Sequence, residues 1–477
     1  MKQILFGYSS AVLLTLPGIT GCTKNDVNNE KPNVVFIIAD DLGYGDLSCY
    51  GQQKFQTPNI DRLATEGMRF SQCYSGATVS APSRANLITG LHSGHAPIRG
   101  NREMKPEGQF SIPQSTNTIF KAFKDKGYTT GAFGKWGLGA PGSEGDPNKQ
   151  YVDDFFGYNC QLLAHNYYPD HLWHNDKRID LPENENGAFG VYSQDLIQEK
   201  CLDFIDNNKD EPFFLFVPCV LPHAELLVPE DSIIQKFRGQ FPERPYVGTD
   251  SGPNFRKGNY CSQTHPRATF AAMVSRFDLY VGQIVRKLKE LDLYDNTLII
   301  VTSDNGPHME GGADPDFFNS SGPYRGRKRD LYEGGIRVPM IAVWKDRIEG
   351  GANSDFMCAF WDILPTFSDI LNLPEPSSDG VSLLPTFTKK GKQQEHNHLY
   401  FEFHEQGGRQ AVRKENWKLI RLNIAKEGGV YELYNIADDP SESQNLAEAH
   451  PEKVAELKII MEQCHLPNES WPLRGVD

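Results

Sequence analysis

Most apolar residues of this chain fall into short blocks in which nearly every position is apolar, rather than alternating with polar ones. Residues 33–39 (Asn-Val-Val-Phe-Ile-Ile-Ala), 213–218 (Phe-Phe-Leu-Phe-Val-Pro) and 297–302 (Thr-Leu-Ile-Ile-Val-Thr) are such blocks. They predict strands covered on both faces. Between them the spacing changes to threes and fours. From Phe270, the positions Val274, Phe277, Val281, Ile284, Val285 and Leu288 predict a long amphipathic helix that feeds the 297–302 strand. Thr57-Pro58 opens a shorter helix with Ile60, Leu63 and Ala64 on one side and Gly67 as its stop, and residues 119–123 lead through Gly127 to a strand over 128–133. The alternation predicts an α/β fold with a large, mixed, mostly parallel sheet flanked by helices.

The pattern shifts near residues 374–395, where Pro, Ser, Gly and Lys accumulate. Beyond it, short runs at 399–404, 410–413, 417–422 and 430–434 predict an antiparallel sheet, and 452–464 a closing helix. The expected division is a catalytic domain over 32–375 and a smaller C-terminal subdomain over 376–477. Ahead of both, Lys2, an apolar stretch from Ile4 to Leu16 and Ile19-Thr20-Gly21-Cys22 have the form of an export signal. Cys22 resembles a bacterial lipobox cysteine, the alternative being an ordinary secretory signal. The expectation is a lipoprotein signal over 1–22, a polar tether over 23–31, and a periplasmic or outer-membrane location in a Gram-negative bacterium.

The blocks end in chemistry. The first runs into Asp40-Asp41, the third into Ser303-Asp304-Asn305, and the second is followed by His223. Side chains at the carboxyl ends of buried parallel strands gather at one edge of the sheet. Asp40, Asp41, Asp304 and Asn305 together supply oxygen ligands suited to Ca²⁺ or Mg²⁺ rather than zinc. The scattered cysteines show no zinc spacing. Lys135 lies among glycines just past the 128–133 strand, and Lys328 in the densest basic passage, 324–339. Ser80-Ala81-Pro82-Ser83-Arg84 has the form of a turn delivering Ser80 to a helix start, where backbone N–H groups favour an anion. The formal net charge of -14 argues against a nucleic-acid partner, so positive potential for an anionic substrate must be local.

In combination these motifs resemble the formylglycine-dependent sulfatases of the alkaline-phosphatase superfamily. Ser80-Ala81-Pro82-Ser83-Arg84 with Leu87 and Gly90 matches their signature, and the strand-end residues match their metal ligands. Residues 331–339 and 431–435 also read like members. The resemblance implies that a serine-type maturase oxidises Ser80 to formylglycine, and that Ca²⁺ is held by Asp40, Asp41, Asp304, Asn305 and residue 80. It implies that Lys135, Lys328 and Arg84 neutralise the sulfate oxygens while His223 protonates the leaving sugar oxygen. In this picture a hydrated aldehyde attacks sulfur through one hydroxyl and expels sulfate with the other. Members often carry histidine where this chain has Gly137, and His95 is the candidate to replace it as the second base.

For the substrate, residues 165–173, rich in His, Tyr and Trp, resemble a sugar-recognition loop of bacterial exo-acting galactose or N-acetylgalactosamine 6-O-sulfatases. Asp170 and His171 are the candidates for reading an axial O4 hydroxyl, with Asn101, Arg102 and His308 as further contacts. A phosphodiesterase or phosphonate hydrolase of the same superfamily, and a sulfated-glycan binder that has lost catalysis, remain as alternatives.

Overall fold

The computed structural model describes residues 31–252, 255–426 and 429–477, together with Met1, Gln3 and Gly7 singly. The expected lipobox, and all but Lys31 of the tether, lie outside the described residues. Residues Pro32–Asp477 form one compact unit. Among the described residues no helix is long and apolar enough to cross a membrane.

The large sheet is built from β1 (Asn33–Ala39), β2 (Met68–Tyr74), β3 (Thr129–Lys135), β4 (Asp154–Tyr158), β5 (His171–His174), β6 (Lys177–Asp180), β7 (Phe213–Pro218), β8 (Thr297–Ser303), β9 (Arg337–Val343), β10 (Ala352–Ser354) and β11 (Cys358–Ala359). Its order is β10-β2-β9-β8-β1-β7-β3-β4-β5-β6, with β11 also on β2. The central run β8-β1-β7-β3-β4 is parallel throughout, and antiparallel pairings occur towards both edges. This is the expected α/β architecture.

The uninterrupted apolar blocks are explained by the two faces of the sheet. In β1, Val35, Ile37 and Ala39 join one core with the helices Pro58–Glu66, Ser193–Asn207 and Pro266–Glu290. Val34, Phe36 and Ile38 join the other, with Ile119–Asp125 and Ile363–Ile370. A strand with both faces covered has no solvent side to record as polar residues. β3 runs on through Gly134 to Lys135, so the lysine expected in a loop is the last residue of a strand. Part of the expected aromatic loop is also strand, because Leu172 and Trp173 sit in the β5–β6 hairpin at the sheet's edge.

The strands β12 (Leu399–Phe403), β13 (Arg409–Lys414), β14 (Trp417–Leu422) and β15 (Val430–Asn435) form the expected antiparallel sheet in simple order. One face, with Tyr400, Val412, Leu419 and Leu433, packs on Leu457 and Met461 of the helix Pro451–Cys464. The other, with Leu399, Phe401, Ala411 and Ile420, packs on Tyr74, Val79, Leu331 and Trp361 of the larger body.

Through that second interface runs a buried ionic knot. Glu333 is fully buried and receives Lys418 Nζ at 2.9 Å, Arg337 at 3.1 Å, Arg413 at 3.3 Å and the Tyr74 hydroxyl at 2.6 Å. Removing one carboxylate there strands several buried cations, which is far costlier than replacing the whole set. Glu333→Gln is expected to lower stability by about 3–5 kcal/mol, measured as a lower urea midpoint in equilibrium unfolding.

Candidate active site

The register of the sheet assembles the site. β1 and β8 are parallel neighbours with Ala39 opposite Ser303, so Asp40-Asp41 and Asp304-Asn305 leave the same edge side by side. Asp41 does so at φ +64, a left-handed backbone that Asp tolerates better than most residues. Its N–H donates to Asp304 Oδ1 at 3.0 Å, tying the two turns together. Lys135 arrives from the end of β3 and His223 from just past β7. Ser80 begins the helix Ser80–Thr89, every residue of which is buried.

These side chains converge on Asp40. Its Oδ1 accepts the Ser80 hydroxyl at 2.9 Å, while its Oδ2 lies 2.6 Å from Lys135 Nζ and 3.2 Å from Arg84 Nη2. The Arg84 guanidinium also reaches Asp304 Oδ2 at 3.0 Å. Asp41 Oδ2 takes Lys328 Nζ at 2.8 Å. Lys328 in turn stands 3.1 Å from His223 Nε2, and the His223 Nδ1 faces the Ala224 carbonyl. Burial pushes the Asp40 carboxyl up, but Lys135, His223, Arg84 and Lys328 outweigh it and hold the group well below the usual carboxylate range. Asp304 goes the other way, raised to about 7 by burial and by the neighbouring Asp40 charge.

Crowded carboxylates of this kind call for a cation. Asn305 supports that demand, since its Nδ2 is committed to Asp41 Oδ1 at 2.6 Å while its buried Oδ1 has no hydrogen-bond partner. An all-oxygen set with an orphaned amide oxygen fits a hard divalent ion such as Ca²⁺, held by Asp40, Asp41, Asp304, Asn305 and residue 80.

Beside this cluster stand three stacked imidazoles. His223 lies between His165, 5.1 Å away at 16°, and His308, 5.7 Å away at 19°. Burial, then Lys328, push His223 well below its ordinary value, and burial, then Lys135, push His165 down to about 4. His308, expected as a sugar contact, is fully buried with Nε2 on the Pro222 carbonyl and Nδ1 accepting from the Glu310 N–H. It supports His223 from behind.

Of His95, Asn101 and Arg102, only Asn101 borders this cluster. His95 stacks on His92 at 4.1 Å and pairs with Asp379 at 2.9 Å, beyond the far end of the Ser80–Thr89 helix. That helix carries the chain about 13 Å from Ser80, so His95 is not positioned to act on residue 80. Asn101 Oδ1 accepts the Ala81 N–H at 3.3 Å and sits at the mouth of the site. Arg102 is spent on the C-terminal segment, stacking on Trp471 at 4.2 Å and donating to the Ser470 carbonyl.

Asp170 is exposed and His171 buried, 2.6 Å apart. The other ring nitrogen of His171 meets Glu107 at 2.8 Å, so this imidazole orients the two carboxylates and has no nitrogen left for a sugar. Burial presses His171 down, but Glu107 and Asp170 outweigh it and raise its pKa. Glu107, Asp170 and His171 line a cavity of about 900 Å³ together with Cys160, Arg178 and Arg256.

Gly137 has φ +72, and a Cβ there would meet Gln161 Nε2 at 2.4 Å. The space for a side chain is therefore already filled from the segment after β4. Gln161 belongs to no motif and has no signal in the sequence, and His165 stands out only as the first residue of the aromatic run 165–173, with nothing there to mark it as a base.

The profile of the sulfatase family matches residues 32–373, which contain the whole cluster. This chain belongs to the sulfatase family. A second profile, N-sulphoglucosamine sulphohydrolase, C-terminal, matches residues 325–465. The sulfatase is 28% identical to an N-acetylgalactosamine-6-O-sulfatase of Bacteroides thetaiotaomicron over 95% of this chain and 98% of that one. It is 30% identical to the N-acetylgalactosamine-6-sulfatase of Canis lupus familiaris over 75% and 66% of the two chains. Among solved structures, Ps i-CgsB in complex with k-i-k-neocarrahexaose superposes with a TM-score of 0.75 at 27% identity, covering 94% of each chain. The protein is a sulfuric ester hydrolase.

Two expectations follow for the sulfatase. Gly137→His should lower stability by about 1–3 kcal/mol, and adding Gln161→Gly should recover the packing part but not the backbone part, read from paired urea melts. Burial pushes His92 down to about 4 from an ordinary 6.5, so the unfolded chain takes up that proton first as pH falls. Stability is then lost between about 6.5 and 4, and His92→Gln should flatten the melting temperature across that window.

Proposed function

We propose that this sulfatase removes 6-O-sulfate from galactose or N-acetylgalactosamine at the end of sulfated glycan chains, with Ser80 matured to formylglycine and Ca²⁺ at the strand ends. The observation that carries the reading is the convergence on Asp40 of the Ser80 hydroxyl, Lys135 and Arg84, with Lys328 and His223 on the adjoining Asp41. The relatives named as N-acetylgalactosamine-6-sulfatases favour this sugar and position. Ser80 is only 2% exposed, which favours a terminal sugar entering end-on over a chain lying across the site.

Oxidation and hydration of Ser80 would supply two hydroxyls on one carbon, one to attack sulfur and one to drive sulfate off again, and bound Ca²⁺ would add positive charge against the sulfate oxygens. The residues of the chain provide the rest. Lys135, Lys328 and Arg84 are fixed donors in a nearly dry pocket, where charge stabilisation is strongest. Lys328 is held protonated: burial lowers its pKa, but Asp41 and Glu310 outweigh this and raise it above its ordinary value. Its ammonium donates to His223 Nε2, so the leaving oxygen meets a Lys328–His223 pair, and an arriving sulfate ester adds negative charge that favours the imidazolium. In this reading O4 falls to Asp170, supported by its position in the lining of the cavity and by His171, which holds its orientation. The chain's opening residues fit an exported lipoprotein, and this supports the reading of an enzyme of the periplasm or outer membrane on which a serine-type maturase acts before folding.

After co-expression with a serine-type maturase, peptide mass spectrometry is expected to find the aldehyde at residue 80. Sulfate release from defined monosaccharide sulfates should favour galactose and N-acetylgalactosamine 6-sulfates. Lys135→Ala and Lys328→Ala should each lower kcat/KM by roughly 100-fold or more, and a strong calcium chelator should abolish turnover. Asp170→Ala should erase the preference for galactose over glucosamine 6-sulfate; an unchanged ratio would remove Asp170 from sugar recognition.

A further inference from the structure

Nearly every proton acceptor around Ser80 is already committed. His223 is engaged at both ring nitrogens, by the Ala224 carbonyl and by Lys328. His308 is engaged at both, by the Pro222 carbonyl and the Glu310 N–H. Asp40, Asp41 and Asp304 are paired with Lys135, Lys328 and Arg84. His95 belongs to Asp379 beyond the far end of the helix.

His165 differs from all of these. Its Nδ1 lies 2.9 Å from the Gly258 carbonyl, an oxygen that only accepts, so the proton sits on Nδ1 and the lone pair on Nε2. Among the described residues the Gly258 carbonyl is the ring's one hydrogen-bond partner, which leaves Nε2 open, and the ring is half-buried rather than sealed. The ring lies nearly parallel to His223 at 5.1 Å, and His223 Nε2 in turn stands 3.1 Å from Lys328 Nζ and 3.4 Å from Asp41 Oδ2, so His165 borders the pocket through that stack.

The segment that carries His165 also explains Gly137. The Gly137 N–H donates to the Asn159 carbonyl at 3.1 Å, and Gln161 of the same segment fills the space a side chain at 137 would need. A carboxamide does not accept a proton at neutral pH, so Gln161 closes that space without supplying a base. Four residues later the segment supplies an imidazole with an open nitrogen.

We propose that His165 is the base that resets residue 80 after sulfate transfer. This rests on the formylglycine reading above. In the reset, the O–H bond of the free hydroxyl breaks, its proton passing to His165 Nε2 and its electron pair closing the carbon–oxygen double bond. The bond from the same carbon to the sulfate-bearing oxygen breaks, and sulfate leaves with that pair. Water then adds to the aldehyde, and His165 returns its proton to solvent.

The test uses the matured full chain with an aryl sulfate. His165→Asn keeps a donor for the Gly258 carbonyl and guards against misfolding, and His165→Ala opens room for added imidazole. Both are expected to release about one equivalent of phenol per active site and then turn over at least ~100-fold more slowly than the parent. Mass spectrometry of the quenched protein should find sulfate covalently retained on the residue-80 peptide, and imidazole should restore turnover to His165→Ala. Parent-like turnover in either variant, or loss of the initial burst together with later turnover, would overturn the assignment. The parent assayed alongside separates this from the underlying reading: an inactive parent, or one without the aldehyde at residue 80, defeats the formylglycine proposal itself.

Discussion

Asp40 is a carboxylate with no exposed surface at the end of a central strand, and a charge in that position persists only if its surroundings answer it. Lys135, Arg84 and the Ser80 hydroxyl answer it directly, and Arg84 is shared with Asp304. Those partners come from the end of β3, the first turns of a buried helix and the turn after β8. The electrostatic demand of one group thus fixes how separate elements meet. The same arrangement is what a sulfate ester requires: cationic donors that are already desolvated and need no reorganisation when charge develops.

The three carboxylates are answered by Lys135, Lys328 and Arg84, yet Asp304 is raised to about 7 and Asn305 leaves a buried oxygen unpaired, so the strand ends present an oxygen-lined position that a cation would fit. The imidazole stack is its counterpart on the other side. His308 and His165 flank His223, and backbone carbonyls fix one nitrogen of each ring. Rings held in this way differ in function through the second nitrogen, which is engaged in His223 and His308 and open in His165.

A second buried carboxylate, Glu333, does for the architecture what Asp40 does for the chemistry. It binds Arg337 of the large sheet and Arg413 and Lys418 of the antiparallel sheet. The passage around it, residues 331–339, stood out in the sequence as a family-like motif beside a basic cluster. Its glutamate is structural, holding the two sheets in one body, while Lys328, a few residues earlier, turns to Asp41 and His223.

The sequence by itself determined the central strands β1, β3, β7 and β8, the four strands of the smaller sheet, the helices Pro58–Glu66, Ile119–Asp125, Pro266–Glu290 and Pro451–Cys464, and the residues at the strand ends. Blocks apolar at every position leave no other way to bury both faces, and a parallel sheet sends its carboxyl ends to one edge. The spaced motifs therefore identified Asp40, Asp41, Ser80, Arg84, Lys135, His223, Asp304, Asn305 and Lys328, all of which the fold brings together. Only the tertiary structure decided how the isolated polar residues are used. Arg102, His95 and His308 each had a chemically suitable side chain, but packing committed them to Trp471, Asp379 and the underside of His223. Gln161 and His165 carried no motif, and their relation to Gly137 depends on a backbone contact between the ends of neighbouring strands. Hydrophobic periodicity reports which face of an element is buried. Which polar group stands beside which is set by register and by side-chain direction across the sheet, and neither is written in the local order of residues.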